Sequence, residues 1–524
     1  MDLTTAGGGA PTFASTVGGV LERSARRMPD RLALTFADRR WTYAELDAAA
    51  GRVAAALLRL GLGRGDRVAA FGKNSDAYLL LFLGCARAGL VHVPVNFNAR
   101  GEELAYLLTH SEPRIAFVDP ALTATLEDVG DGLADVRRGT LHGGEGALDV
   151  LRWASDDDGP VHVESGVDDR DLVQLLYTSG TTSLPKGAML THRALVHEYM
   201  SCIVELDLSA SDVPLHALPL YHSAQMHVFL MPSLAVGATN HLVEAPDIDD
   251  LFERVPRDGV NALFLPPTVW IGVAGHPRLA GADLTSLRKA FYGASIMPVP
   301  VLQKLQERLP DVGFYNCFGQ SEIGPLATVL RPEEHAARPD SVGRAVLFVE
   351  TRVVDENMRD VAPGERGEVV YRSPQLCTGY WHDPAETAAA FHGGWFHSGD
   401  LVRIDDAGYM FVVDRIKDVI NTGGVLVASR EVEDALYTHP AVAEVAVIGL
   451  PHERWIEAIT ALVVLHEEVD PAALIAHARE RLASHKVPKS VHAVPELPKN
   501  ASGKLLKREL RRQLGGTASA VGRD

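Results

Sequence analysis

Between Tyr177 and Gly187 the chain reads "YTSGTTSLPKG", a run of five Ser/Thr hydroxyls, two glycines and a single lysine, Lys186. A packed core has no use for such a run. Glycine lets backbone N–H groups turn inward, the hydroxyls of Thr178, Ser179, Thr181 and Thr182 add donors around Gly180, and Lys186 adds a point charge. Together they make a nest for oxyanions, polyphosphate above all. A Walker A loop closes on Gly-Lys-Ser/Thr, whereas here Lys186 follows Pro185 and precedes Gly187, so this is a phosphate loop of another design. The preceding "DLVQLLY" has the pattern of a buried strand. The following "AMLTHRALVHEYM" reads as a short strand and then a helix capped by Thr191. Taken alone, the loop leaves a generic polar turn open.

Other stretches carry chemistry of their own. "NCFGQSE" places Ser321 and Glu322 together, "WFHSGD" ends on Asp400, "DRIKD" holds Arg415 and Lys417, and "LPKNASGKLLK" holds Lys504. "YGAS" spans Tyr292 to Ser295, and "LPLYHSAQMH" holds His222 and His227. Each has a bland reading. An isolated Ser-Glu is a helix cap, Lys504 sits in a basic tail, and a buried histidine is more often structural. His222 and His227, five apart, splay across a helix and form no metal pair.

Composition narrows the field. At 524 residues the chain exceeds the size of one growing core, so two or more domains are expected. Hydrophobic content of 46% with 23% charged residues is that of a globular protein. Lys+Arg 50 against Asp+Glu 68 gives a net charge of −18, which argues against nucleic acid or an anionic membrane as partner. The four cysteines form no CxxC pair, and the start has no cationic region followed by an apolar stretch, so a cytoplasmic location is expected. The run "YLLLFLGCARAGLVHVPV" is broken by Arg87 and too short to span a bilayer; it reads as a buried helix entering a buried strand.

Strand-like runs alternate with helical patterns, the signature of α/β layers. From about Gly343 short strands take over, and beyond Asp414 comes a compact stretch of helices and strands. The expected fold is therefore α/β: a large N-terminal domain of layered α/β subdomains with a small β-rich subdomain, then a small α+β C-terminal domain. The boundary is placed at Asp414 to Asp418, giving domains 1–414 and 415–524. The acidic, Gly-rich segment His142 to Arg170 is read as a solvated connection, and the tail 514–524 as disordered.

Five of these motifs, in this order and spacing, resemble the adenylate-forming superfamily of acyl-CoA synthetases, firefly luciferase and peptide-synthetase adenylation domains. The resemblance runs from about Trp41 to Arg508 and is nearest the fatty-acyl and aryl CoA ligases. It implies ATP- and Mg²⁺-dependent adenylation of a small-molecule acid, then transfer to CoA. Lys504 matches the lysine that bridges the attacking carboxylate and the α-phosphate. Glu322 matches the Mg²⁺ residue, with Ser321 where threonine is usual. Asp400 and Arg415 match the ribose pair. Gly293, Ala294 and Ser295, with Asn316, Phe318 and Gly319, match the adenine walls, and His222 a position at the acyl end. Tyr221, Met226, Phe229 and Trp270 are candidates for the acyl tunnel. Lys417 matches a hinge about which the C-terminal domain rotates, bringing the Gly423–Gly424 face toward CoA. A homodimer is compatible with the resemblance.

Three positions depart from the pattern: Ser183 for glycine, Ser429 for proline, and Val425–Leu426 where a polar or aromatic residue and then Asn or Gln are usual. The last leaves the acceptor open to a carrier-protein thiol or an amine. It also leaves room for another oxyanion substrate such as nitrite, in diazo formation. An inactive nucleotide-binding scaffold is the reading from another class, and the joint presence of Lys504, Glu322 and Asp400 argues against it.

Overall fold

The computed structural model describes residues 15–129, 136–144, 146–156, 163, 166–178, 184–295, 297–499 and 505–518. The apolar run expected to be buried is the helix Asp76–Ala88, in which every residue but Arg87 is buried, followed by the strand Val91–Val95. A helix that is apolar all round needs neighbours on every side. It packs with the helix Tyr43–Arg59 in a core shared by residues of two sheets. Ser75 caps its start, accepting from the Tyr78 N–H at 3.1 Å, and Gly89 ends it at φ +73. Arg87 is satisfied by the side chain and carbonyl of Asp47.

Among the described residues the first sheet has six strands. Arg137–Thr140, Ile115–Val118, Arg67–Phe71, Val91–Val95 and Leu172–Thr178 run parallel, and Lys186–Thr191 closes it antiparallel. The second has nine, with a parallel centre that includes Pro214–His216, Ala262–Phe264, Lys289–Gly293 and Gly313–Gly319, and an antiparallel edge at Leu326–Leu330. Parallel strands require crossover helices, which is why helix and strand patterns alternate in the sequence.

The short strands after Gly343 form an antiparallel sheet of four: Glu350–Val354, Arg366–Arg372, Phe396–Ile404 and Met410–Arg415. The turn Ile416–Asp418 follows, and then a sheet built on Ile420–Thr422, Val425–Val427, Val442–His452, Ile456–Leu465 and Ser490–Ala493. This agrees with the expected α/β layering, β-rich subdomain and small α+β unit.

Two expectations need correction. The segment 142–170 is not only a solvated connection, because it contains the helix Val150–Ser155. Trp153 on that helix is 9% exposed and packs edge-on to Phe117, so two or three apolar residues inside a polar stretch were enough to anchor a turn. The helix Lys507–Ala518 also continues into the tail expected to be disordered, while 519–524 lie outside the described residues.

Candidate active site

The segment read as a phosphate loop joins two antiparallel strands whose register pairs Thr178 with Lys186. Its ends are thus held opposite one another by the ladder. Thr191 caps the helix His192–Glu205 as expected, accepting from the Ala194 N–H at 3.1 Å, but that helix begins only after the second strand. Ser179, Gly180, Thr181 and Thr182 lie outside the described residues, as does Lys504. Lys186 pairs with Glu386 and lies 5.4 Å from the Tyr380 ring centroid.

Thr178 donates to Glu322 Oε1 at 3.1 Å, and Tyr380 donates to the same oxygen at 3.1 Å. The two anchors of the loop and the carboxylate therefore share one polar cluster. Burial, and then the Glu322 charge, push the Tyr380 phenol far above its ordinary value, so it is a donor at any working pH. Glu322 sits on a short turn, Ser321–Ile323, directly after the strand Gly313–Gly319. Ser321 Oγ lies 3.0 Å from Ser223 Oγ, which brings the segment holding His222 alongside. His222 accepts from the Ala224 N–H at 3.3 Å, at the entrance to a wide-turned helical stretch, Ala224–Leu230.

His227 faces the other way, into the core. Its ring meets the Tyr199 hydroxyl at 2.9 Å and Gln174 Oε1 at 2.9 Å, and burial lowers its pKa to about 3. The two histidines are split, as their spacing implies. Of the apolar candidates, Trp270 is a core residue whose indole N–H is spent on the Phe291 carbonyl at 3.0 Å. Met226 and Phe229 are likewise packed into the core, and Tyr221 is partly buried, edge-on to Phe97.

Gly293 ends its strand, at the carboxyl edge where open α/β sheets bind ligands, and Asn316 lies on the adjacent parallel strand opposite Tyr292. Gly293 has a packing reason, since a Cβ there would stand 2.1 Å from the Cys317 carbonyl oxygen. Ala294 turns the chain at φ +64 toward Ser295. The Asn316 amide donates to the Ser341 carbonyl at 2.9 Å, and Phe318 is partly buried. A side chain at Gly319 would collide with the Pro325 carbonyl oxygen at 2.0 Å, so the turn into Ser321 needs glycine.

The strand register also sets Asp400 opposite Arg415, and their side chains meet at 2.7 Å. Asp400 is 3% exposed and Arg415 28%. Beside them the Tyr371 hydroxyl is buried without a hydrogen-bond partner among the described residues, its phenol raised by burial and by Asp400. Beyond the pair lies exposed Lys417, on the turn Ile416–Asp418. Asp414 accepts from the Ser429 N–H at 2.5 Å and the Ser429 hydroxyl at 2.8 Å, so the unusual serine at this position is used. Lys507 reaches Ser429 Oγ at 2.6 Å and Glu433 at 2.7 Å.

Gly423 and Gly424 form the tip of a hairpin at φ +65 and +86, with the Gly423 N–H donating to the Trp455 carbonyl at 2.6 Å. Both need glycine for that turn.

Sequence reasoning missed Tyr380 and Glu386. Both lie in "TGYWHDPAE", which carries no charge pattern or glycine spacing that would single them out.

The contacts thus gather Thr178, Tyr380 and Glu322 into one polar cluster and pair Asp400 with Arg415 in another. The chain belongs to the AMP-binding enzyme family: that family's model matches residues 21–381, and its C-terminal domain model residues 431–504. It is an AMP-forming ligase of the acyl-CoA synthetase kind. It is 38% identical to a feruloyl-CoA synthase from Amycolatopsis sp, over 94% of this chain and 98% of that one. It is 33% identical to an indoleacetate–CoA ligase from Aromatoleum aromaticum, over 94% and 96%. Its fold is similar to that of ATP-bound MatB from Rhodopseudomonas palustris, with a TM-score of 0.87 at 30% identity, covering 96% of this chain and 100% of that one. Among the described residues no helix is long and apolar enough to cross a membrane.

Proposed function

We propose that the protein uses ATP to adenylate an aryl-substituted carboxylic acid, releasing pyrophosphate, and then transfers the acyl group to the thiol of CoA with release of AMP. The observation that carries this reading is the 3.1 Å contact between Thr178 and Glu322, which joins the anchor of the phosphate loop to a carboxylate far along the chain. The aryl preference is supported by the names of the two relatives above.

Two anions must be brought together in the first step, so catalysis is mostly positioning and charge neutralisation. Lys186 and the loop residues 178–182 would cradle the phosphates. Lys504 would bridge the attacking carboxylate and the α-phosphate, and His222 would border the acyl end. Asp400 and Arg415 would hold the ribose hydroxyls through charge-assisted bonds. Gly293, Ala294, Ser295, Asn316, Phe318 and Gly319 would enclose adenine.

Among the described residues no three His, Cys, Asp or Glu side chains are gathered as a metal cluster. A site of one carboxylate, Glu322, completed by phosphate oxygens and water suits Mg²⁺, with Ser321 beside it. Bound Mg²⁺ would supply neutralisation of the phosphate charge. The division into 1–414 and 415–524, with rotation about Lys417 that carries Lys504 away and turns Gly423–Gly424 toward CoA, belongs to the same reading.

The test is a panel of aryl and straight-chain acids scored for ATP-dependent pyrophosphate release, then for CoA-dependent AMP release and a thioester by mass spectrometry. Thioester from an aryl acid is the expected product. A second reading, transfer to a non-CoA nucleophile, is favoured by the exposed apolar Val425 and Leu426 at the hairpin. AMP release driven by a carrier-protein thiol or an amine, with no CoA thioester from any acid, would establish it.

A further inference from the structure

The loop that carries Glu322 rests on two buried polar side chains that no catalytic role has claimed. Glu198, in the middle of the helix His192–Glu205, is fully buried, and no Lys or Arg pairs with it among the described residues. Its Oε1 accepts from the Leu326 N–H at 2.9 Å and from the Cys202 thiol at 3.4 Å. Its Oε2 takes the Gln375 amide. Gln375, also fully buried, reaches the Leu326 carbonyl at 3.1 Å and the Ile323 carbonyl at 3.3 Å, while its own oxygen accepts from Ser201 at 2.6 Å. Two residues further on, the Cys377 N–H donates to the Glu322 carbonyl at 2.7 Å. Gly324 lets the loop lie this close, since a Cβ there would stand 3.0 Å from the Glu198 carboxyl.

The Glu322 and Ile323 carbonyls and both backbone groups of Leu326 are thus bonded from one small region. An apolar residue in place of Glu198 would fill the space with less desolvation, but would leave the Leu326 N–H without an acceptor and take one acceptor from the Gln375 amide. Satisfied buried networks of this kind select a single geometry. Burial pushes the Glu198 carboxyl well above its ordinary value, while the Leu326 N–H and Cys202 thiol that donate to it oppose that shift.

We propose that Glu198 and Gln375 are a positioning pair that acts through Glu322, holding its carboxylate at the distance from Thr178 and Tyr380 that metal-bound ATP requires. The proposal rests on the reading of Glu322 as the Mg²⁺ residue.

The experiment is the Mg²⁺ titration of ATP–pyrophosphate exchange by the full-length protein with the acid that scores highest in the panel above, with thermal melting alongside. Glu322→Gln tests the reading itself. Glu198→Leu and Gln375→Met are expected to raise the Mg²⁺ needed for half-maximal rate by about tenfold, the scale of lost outer-sphere support for a metal site, with a smaller fall in rate at saturating Mg²⁺. Glu198→Gln should shift the titration less than Glu198→Leu, because its amide oxygen still accepts from Leu326 while only its contact with the Gln375 amide is lost. Ser201→Ala, a milder change should Glu198→Leu fail to fold, is expected to shift the titration in the same direction by less. Variants that melt lower yet titrate like wild type, while Glu322→Gln shifts the curve, would overturn the positioning role alone. An unmoved titration in Glu322→Gln would overturn the reading of Glu322 and this inference with it.

Discussion

The loop bearing Glu322 and the hairpin bearing Gly423–Gly424 are both turns on which the proposed chemistry depends, and they are built in opposite ways. The first has its backbone tied down by the Cys377 N–H at Glu322 and by the buried Gln375 and Glu198 side chains at Ile323 and Leu326. The second stands out from its sheet, with Val425 45% and Leu426 64% exposed at its tip and Ile456 57% exposed beside it. Ile456 also holds φ +65, a left-handed conformation that is unusual for a β-branched residue. A site for a metal and three phosphates needs fixed ligands. A face that must meet another surface in only one half of a cycle can carry exposed apolar area and backbone strain. On the proposed reading the difference separates the two half-reactions in space, and it gives ways to break them apart.

The largest effect is expected at Lys504. Lys504→Ala should slow adenylate formation by about 3–4 kcal/mol of barrier, the scale of losing one charge-stabilising group. Thioester formation from supplied acyl-adenylate should largely survive. Equal loss of both half-reactions in a folded variant would mean that the protein does not divide them between two arrangements.

Asp400→Asn should come next. It keeps the shape but weakens the partner of Arg415, and charge-assisted bonds of this kind contribute about 1.5–3 kcal/mol. The KM for ATP should rise by about tenfold with the Mg²⁺ titration unchanged. A shifted Mg²⁺ titration would show that the ribose and metal ends of the site are not independent.

Acid should distinguish the two regions without mutation. Burial holds His92 and His227 at a pKa of about 3, and His192 and His216 at about 4, all four on the N-terminal side of the molecule. Their unfolded value is about 6.5, so below that pH the unfolded chain binds protons that the folded chain refuses. The stability they contribute is complete above about pH 6.5 and is lost as pH falls toward 4 and 3. Melting temperature should therefore drop between about pH 7 and pH 5. Hydrogen exchange at the lower pH should open the helix His192–Glu205 and the strand Val91–Val95 before the sheet after Ile420. Opening in the reverse order would assign acid sensitivity to the C-terminal unit.

The smallest effect belongs to Leu426→Asn, which restores an amide at the hairpin tip. One added hydrogen bond is worth about 1 kcal/mol, so the KM for CoA should fall by up to about fivefold while pyrophosphate release is untouched. No change in CoA use, in a variant whose adenylation is intact, would favour another acceptor at this face.

Part of the candidate site's geometry was legible in the chain itself, because its signals are local. Gly293 and Gly319 are required by neighbouring carbonyls, Thr191 caps the helix it precedes, and Asp400 and Arg415 fall on strands that pair directly. The alternation of strand and helix patterns was also enough for the layered fold, because each element's hydrophobic period reflects which of its faces is covered. The polar stretch 142–170 misled for the same reason: its composition is averaged over many residues, while one buried tryptophan, Trp153, decides where its helix packs.

What the tertiary structure alone decided are the partnerships between distant side chains. Nothing in the sequence links Glu198 to Gln375, or Tyr380 to Glu322, since these contacts arise only when the helix after the phosphate loop is laid behind the Glu322 turn. A buried Glu in the middle of an amphipathic helix reads like any solvated acid until the surface that covers it is known. Sequence by itself determined which residues could do the chemistry, because reactivity is a property of the side chain. Only the packed structure decided which of them are held still, because that depends on the neighbours that desolvate them and satisfy their hydrogen bonds.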